Sequence, residues 1–296
     1  MDLDPALLVN QLLWGVLVGV SYSLLAMAFS LIFATSGVVN FATGEFAMLG
    51  AYFGYTALAK LNAGMVGAAL LALAALFVFG MLLERLAFRR LYKRDPILIL
   101  IATIGVSTML KNLVLLFAGA YSQSYPPLIS GGPIIMGDIY ILPQNLVLLG
   151  IGLLSMVAFH LFMTRTRLGT AMRATAQNIR GASLVGIDTA LCVNLSWALG
   201  AVMAGIGGIL IAFAYNISVE MGASLGIKGF TGAVLGGFGS LPASMAGGIL
   251  LGIAENLGAM LVSFDYKDVF AFALIILILL FKPAGLFVAQ RRIRRL

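Results

Sequence analysis

Five ionisable residues stand inside otherwise apolar stretches of this 296-residue chain and are its main candidates for chemistry. A charged side chain within a membrane span is costly, so such residues usually line a solute path or pair with one another. The chain has one histidine, one cysteine and no Gly-x-x-x-x-Gly-Lys phosphate loop, so no familiar catalytic or metal-binding set can be assembled. The sequence therefore indicates transport rather than catalysis. The five residues are Glu45, Lys111, Glu220, Lys228 and Glu255.

Two of these carboxylates each allow two interpretations. Glu45 follows Asn40 and Thr43, and a broken helix there would leave backbone groups for side chains to satisfy, so these three residues could line a translocation path. Equally, Glu45 could cap the amino end of a helix and interact with its dipole. Glu255 and its neighbour Asn256 could contact cargo, but an interhelical hydrogen bond is the favoured interpretation.

Residues 164–188 form the longest basic stretch that is able to fold as helix, and we call them the docking segment. The segment carries four arginines against one aspartate, and its apolar residues recur at helical spacing on one side. These features predict an ordered element that docks onto a soluble partner. The alternative is that the arginines only mark the inner leaflet, as expected for cytoplasmic loops in general.

The composition indicates that a membrane surrounds most of the elements that position these residues. The chain is 61% hydrophobic and only 10% charged, whereas about 25% charged residues is usual in soluble domains. Its net charge of +7 comes from three clusters beside apolar runs, at residues 85–94, 165–180 and 291–295. Orientation by the positive-inside rule explains these clusters better than nucleic-acid binding, which we do not expect.

Alternating crossings place all three basic clusters on the cytoplasmic side. About eight transmembrane helices result, with the first residues outside, the carboxyl end cytoplasmic and residues 119–142 as an extracytoplasmic loop. Two glycine-rich segments, near residues 36–46 and 226–241, are too short or too polar for ordinary spans and are predicted to be broken or re-entrant. We therefore predict an all-α polytopic membrane protein in which residues 1–296 form a single transmembrane domain.

Small residues recur at four-residue spacing in three apolar runs, which predicts close helix packing. Contact within one molecule is the favoured interpretation for each stripe, although a stripe could also meet a partner subunit. The stripes are Gln11, Gly15, Gly19 and Ser23; Gly200, Ala204 and Gly208; and Ser244, Gly248, Gly252 and Asn256.

Residues 37–52 begin with the run Gly-Val-Val-Asn-Phe-Ala-Thr-Gly-Glu-Phe. This segment resembles the amino-terminal signature of the branched-chain amino acid ABC transporter permeases, the LivH-like members of a superfamily that also includes ribose-type permeases. Further segments that resemble this family extend over most of the chain, at residues 169–187, 229–240, 252–255, 266–269 and 282–285.

The resemblance implies a permease subunit of an ATP-driven importer in a bacterial-type inner membrane. Its implied partners are a second, homologous permease (LivM-like), two cytoplasmic ATPase subunits and an extracytoplasmic substrate-binding protein. ATP and Mg would bind to the ATPase subunits, and we expect no cofactor, metal or catalytic residue on this chain. The resemblance implies that the docking segment is a cytoplasmic coupling loop, which contacts the ATPase subunits. The residues that match the family in this loop are Gly169, Arg173, Ala174, Ala182 and Gly186.

One position departs from the family pattern, because this chain has Thr43 where family members often have histidine. The implied cargo is therefore a branched-chain amino acid or a related small amino acid, amide or carboxylate. A secondary transporter or channel that works without ATP is the alternative, with Glu45 and Glu255 as its ion-coupling groups. A purely structural scaffold would account for the glycine stripes but not for the two broken segments.

Overall fold

The fold consists of helices built from long runs of Leu, Ile, Val, Ala and Gly, joined mostly by short connections. The computed structural model describes residues 5–129, 131–137, 139–263 and 266–287. Its helices, in chain order, are α1 (Pro5–Ser36), α2 (Thr43–Leu61), α3 (Gly64–Leu83), α4 (Pro96–Ala118), α5 (Pro143–Arg165), α6 (Arg167–Gln177), α7 (Ile179–Leu184), α8 (Thr189–Ala214), α9 (Met221–Gly236), α10 (Leu241–Leu261) and α11 (Lys267–Phe281).

Six of these helices are long and apolar enough to cross a membrane: α1, α3, α4, α5, α8 and α10. The other two crossings predicted from the sequence coincide with α2 and α11. Helix α2 has 19 residues with a charge near each end, and α11 has 15. Two short strands, β1 (Ile134–Met136) and β2 (Ile139–Ile141), form an antiparallel hairpin between α4 and α5. The prediction of an all-α polytopic membrane protein is confirmed.

The two glycine-rich segments interrupt the bundle in different ways. Residues 37–42 are non-helical between α1 and α2, and Gly37 has a φ of +72°, which glycine adopts without strain. Residues 226–241 lie mostly within α9, whose 16 residues measure roughly 24 Å, less than the roughly 30 Å hydrocarbon core. The break there is a turn at residues 237–240, where Gly237 and Gly239 also have positive φ. Of the two predicted forms, broken or re-entrant, the structure shows the broken one, a short helix that ends at this turn.

Two of the basic segments lie at one end of the bundle. Helix α3 continues into a π-helical turn, Glu84–Phe88, which packs on the first turns of α8. The Phe88 ring stacks on Trp197 with centroids 4.6 Å apart, and Asn194 donates a hydrogen bond to Glu84. Since α8 directly follows the docking segment, the cluster at residues 85–94 lies beside that segment.

We call this end the basic end. The opposite, distal end holds the bridge between Gln123 and Ile217 and the start of α11. The third basic cluster, at residues 291–295, lies outside the described residues, and so do the two chain termini whose sides were predicted.

The predicted stripes of small residues pack against one another inside the chain. Gly15 and Gly19 of α1 face Gly248 and Gly252 of α10, and a Cβ added at Gly19 would lie 2.9 Å from the Cα of Ile249. Only glycine permits backbones to approach this closely, which is the mechanism by which small residues join membrane helices. The stripe of Gly200, Ala204 and Gly208 on α8 packs on α1 and α2. All three stripes therefore serve packing within the subunit.

Candidate functional site

Glu45 lies buried between three helices. It stands in the first turn of α2 with 1% of its surface exposed. Its Oε1 accepts a hydrogen bond of 3.0 Å from Ser107 of α4, while its Oε2 has no hydrogen-bond partner among the described residues. Gly222 of α9 lies against this carboxylate, and a Cβ at that glycine would collide with it. A buried carboxylate at a helix amino end interacts favourably with the helix dipole, so both interpretations of Glu45 remain.

The break at residues 37–42 is shaped by the other two candidates near it. Asn40 accepts a hydrogen bond of 3.0 Å from the backbone N–H of Ala42, and the Thr43 hydroxyl donates to the Asn40 carbonyl at 2.7 Å. Both side chains are buried, and the Asn40 Nδ2 has no partner in the described part of the chain. Asn40 and Thr43 thus build the turn that starts α2.

Aromatic rings fill the space between this break and α9 on the side toward the basic end. Phe41 lies 5.7 Å from Phe230 between ring centroids, and Phe230 lies 5.5 Å from Phe238, which belongs to the glycine turn. Phe29 and Phe33 of α1 pack behind them. The two interruptions of the bundle therefore meet in one aromatic cluster.

A band of polar residues is exposed along α4 and α9, and we call it the polar seam. Lys111 of α4 forms an ion pair of 2.7 Å with Glu220, which precedes α9, and both side chains reach solvent. Thr108 and Ser224 are exposed on the same two helices. Lipid cannot satisfy polar groups, so this face is suited to water or protein contact rather than to hydrocarbon.

A second charged group, which we call the ion cluster, joins α9, α10 and α11. The Lys228 Nζ lies 2.6 Å from Glu255 Oε1 and 2.8 Å from Asp268 Oδ1, and Lys267 approaches Glu255 at 3.9 Å. The Glu255 side chain is fully buried. Helix α9 carries Lys228 two turns after Glu220, so both charged groups border the same cleft.

The sequence-predicted path residues divide into four environments. Glu45 borders the polar seam, Asn40 and Thr43 form the turn beneath it, and Glu255 makes an interhelical contact as half of an ion pair. Asn256 is separate, because its amide donates to the Gly252 carbonyl of its own helix at 2.8 Å. Sequence reasoning missed Ser107, Lys267 and Asp268 as members of these groups.

Removing the Lys228 ammonium is expected to destabilise the protein strongly. The Lys228→Met substitution leaves the buried Glu255 carboxylate without its closest cation, and breaking a buried pair costs about 3–5 kcal/mol. The matched control is Lys111→Met, whose partner Glu220 is 75% exposed, so the cost there is about 0–1 kcal/mol. Thermal unfolding in detergent measures both. Equal melting temperatures for the two variants would contradict the assigned burial of the Lys228 pair.

Three side-chain caps define the docking segment as a bent pair of helices. The Thr166 hydroxyl accepts from the Gly169 N–H at 3.0 Å at the start of α6, and Asn178 Oδ1 accepts from Gly181 at 2.9 Å at the start of α7. Asp188 caps α8 in the same way. Each cap satisfies an otherwise free N–H, so the sequence sets where each helix begins.

The residues assigned to coupling have distinct positions on this segment. Gly169 is buried against the backbone of Phe162, where a Cβ would collide. Arg173 is exposed and borders an open cleft of about 710 Å³ that reaches the glycine turn at residues 237–240. Ala174 is half-buried, Ala182 is buried, and Gly186 turns the chain with a φ of +85°.

The tip of α7 carries two exposed apolar side chains, which we call the apolar tip. Leu184 is 87% exposed and Val185 is 76% exposed. They stand beside arginines that form no ion pair within the described residues. Contiguous exposed apolar residues rimmed by charge are typical of a protein interface. The apolar tip was not identified from the sequence, since Leu and Val in a helix ordinarily predict burial.

The comparisons with known proteins agree with this architecture. The family model described as "Branched-chain amino acid transport system / permease component" matches residues 11–279. The chain is 37% identical over 290 residues to the high-affinity branched-chain amino acid transport system permease protein BraD of Pseudomonas aeruginosa, with 94% of each chain covered. It is 36% identical over 294 residues to the permease proteins LivH of Salmonella typhimurium and Escherichia coli, again with 94% of each covered. No solved structure gives a significant match.

The family match covers every helix described above from α2 to α10 and most of α1. It also includes the docking segment, the polar seam and the buried pair of the ion cluster. These findings establish that the chain is a multi-pass membrane protein that belongs to the branched-chain amino acid transport system permease family.

Proposed function

We propose that this chain is a permease subunit of an ATP-driven importer for branched-chain amino acids or closely related small solutes. The observation that supports coupling is the apolar tip, Leu184 and Val185, which is exposed at the end of capped helices. The arginines beside it form no ion pair with any residue that the structure describes. A soluble ATPase subunit that buries this tip would account for exposed apolar surface outside the membrane-spanning helices. In this proposal the basic end is cytoplasmic, in agreement with the positive-inside rule.

A second, homologous permease is the proposed neighbour of the polar seam. The exposed polar residues of α4 and α9 need water or protein rather than lipid, and the three glycine stripes are already used within the subunit. Pairing two such faces would enclose a polar path between subunits. The proposed cycle has a binding protein deliver cargo at the distal end, and ATPase closure move the helices through the docking segment.

Charge reversal at Arg173 is expected to weaken the ATPase contact. Arg173→Glu removes one exposed cation and places an acid beside Thr170 and Thr164, which Arg173 contacts at 3.4 Å. A charged hydrogen bond contributes about 1.5–3 kcal/mol, so ATPase affinity should fall roughly tenfold or more. Uptake and stimulated ATP hydrolysis in proteoliposomes measure the change. Arg173→Lys, which keeps the charge, serves as the control and should retain most activity.

The direct experiment is to purify the chain from its native membrane under mild conditions and identify the subunits that remain bound. The proposal expects an ATPase pair and a second permease in the same particle. Recovery of the chain alone, together with proton-dependent uptake in liposomes that contain no ATPase, would overturn the proposal in favour of a secondary transporter.

A further inference from the structure

An open cleft of about 350 Å³ lies at the distal end between α1, α8, α9 and α11. Its lining combines cationic, anionic, aromatic and aliphatic groups, and its size falls within the range of small-molecule sites. The residues that matter here are Tyr22, Tyr215, Glu220, Leu225, Lys228 and Lys267.

We propose that this cleft is a transit site for the zwitterion of an aliphatic amino acid. Lys267 takes the α-carboxylate, Glu220 takes the α-ammonium, and the aliphatic side chain packs on Tyr22 and Leu225. This inference rests on the proposed function and deepens it, because it names which residues of this chain contact cargo.

Lys267 is the cation of the cleft whose ammonium is available to a ligand. Its only carboxylate neighbour among the described residues is Glu255 at 3.9 Å, beyond hydrogen-bond distance, and its side chain is 22% exposed. Its ammonium lies 5.8 Å from the Tyr215 ring centroid. Lys228, by contrast, is held by two carboxylates at 2.6 and 2.8 Å. A ligand carboxylate entering the cleft therefore gains most from Lys267.

Glu220 is the anion of the cleft whose second carboxylate oxygen is available to a ligand. It pairs with Lys111 through Oε2, and among the described residues no side chain donates to its other oxygen. Its side chain is 75% exposed, so its carboxylate can turn toward the cleft. Glu255 is unsuitable for this role, because its side chain has no exposed surface.

The charge balance of the cleft favours a neutral ligand with separated charges. Lys228 and Lys267 are matched by Glu255 and Asp268, and Lys111 is matched by Glu220. A zwitterion preserves this balance, whereas a net anion or cation would add an uncompensated charge to a partly desolvated site. The tyrosine rings and Leu225 supply an apolar surface for the remainder of the ligand.

The test uses the chain in the complex purified from its membrane, in nanodiscs and without the binding protein. Equilibrium binding of radiolabelled L-leucine is measured and competed with 4-methylpentanoate, which lacks the ammonium, and with 3-methylbutylamine, which lacks the carboxylate. Each lost charged contact is worth about 1.5–3 kcal/mol, so both analogues should compete roughly tenfold or more weakly than L-leucine.

Single substitutions assign each contact. Lys267→Gln should weaken binding of L-leucine and 4-methylpentanoate at least about tenfold and leave binding of 3-methylbutylamine unchanged. Glu220→Gln should weaken binding of L-leucine and 3-methylbutylamine to a similar extent and leave binding of 4-methylpentanoate unchanged. Lys60→Gln, an exposed change at the end of α2, is the control and should bind as the unsubstituted chain does.

Absence of saturable L-leucine binding, or unchanged L-leucine affinity in both cleft variants, would overturn the inference. The proposed function is judged separately by whether the ATPase pair is present in the same preparation. Co-purification of the ATPases with each variant also shows that the variant has folded.

Discussion

Replacing both residues of the apolar tip by glutamate is expected to abolish uptake and to release the ATPase subunits. Leu184 and Val185 are 87% and 76% exposed in the subunit, so their substitution disturbs no internal packing. If an ATPase cleft buries them, each contributes about 1.5–3 kcal/mol, and the double change Leu184→Glu and Val185→Glu should lower affinity by more than about a hundredfold. Co-purification of the ATPase and ATP-dependent uptake measure the effect.

The matched control exchanges the two apolar residues for others of similar size, Leu184→Ile and Val185→Leu. This pair keeps the apolar surface and should retain the ATPase. Expression and thermal stability of both double variants should equal those of the unsubstituted chain, since the tip makes few contacts. If the glutamate variant retains the ATPase subunits fully, these subunits bind to another part of the chain.

A leucine at Gly252 is expected to prevent stable folding. Gly252 lies directly against the backbone of Gly19, and any Cβ there collides with it, so α1 and α10 would have to separate. Overpacking a core lowers the free energy of unfolding by about 1–3 kcal/mol. Because this collision separates the backbones of a whole helix pair, we expect a cost at or above the upper end of that range. Fluorescence-detected size exclusion after heating in detergent measures the surviving fraction.

Gly150→Leu provides the comparison for this experiment. Gly150 is also a helical glycine in an apolar run and is exposed. Apart from its neighbours in α5, the described residues place no atom within 4 Å of a Cβ added there. It should fold normally. If the Gly252 and Gly150 variants survive heating equally, the close approach of α1 and α10 is wrong.

The features that local sequence predicts well are those that depend on spacing within a single segment. The four-residue stripe of Gly15 and Gly19 predicted close packing, and the break before α2 follows from Asn40, Thr43 and the glycines beside them. The caps of α6 and α7 also follow from single residues at helix starts. The 226–241 segment is predicted only approximately, because the helix that contains most of it begins at Met221, before the glycine-rich run.

The features that sequence reasoning missed depend on distant partners. The bond from Ser107 to Glu45 joins residues 62 apart, and the pair of Lys111 with Glu220 joins residues 109 apart. No local pattern encodes such pairings. The sequence therefore identifies Glu45, Lys111 and Glu220 as isolated intramembrane charges, but it neither finds Ser107 nor joins these residues into the polar seam. The exposure of Leu184 and Val185 likewise depends on where α7 sits, since helical periodicity alone would bury them.

In the proposed importer, an ATPase subunit binds the docking segment. The most direct measurement places a photo-crosslinking amino acid at position 184 in the chain within its native membrane. Position 70, an exposed apolar position on the membrane-spanning helix α3, is the control. We expect irradiation to join position 184 to an ATPase subunit and to leave position 70 without a crosslink to that subunit. Crosslinks from position 184 to lipid alone, or to an extracytoplasmic protein, would contradict it.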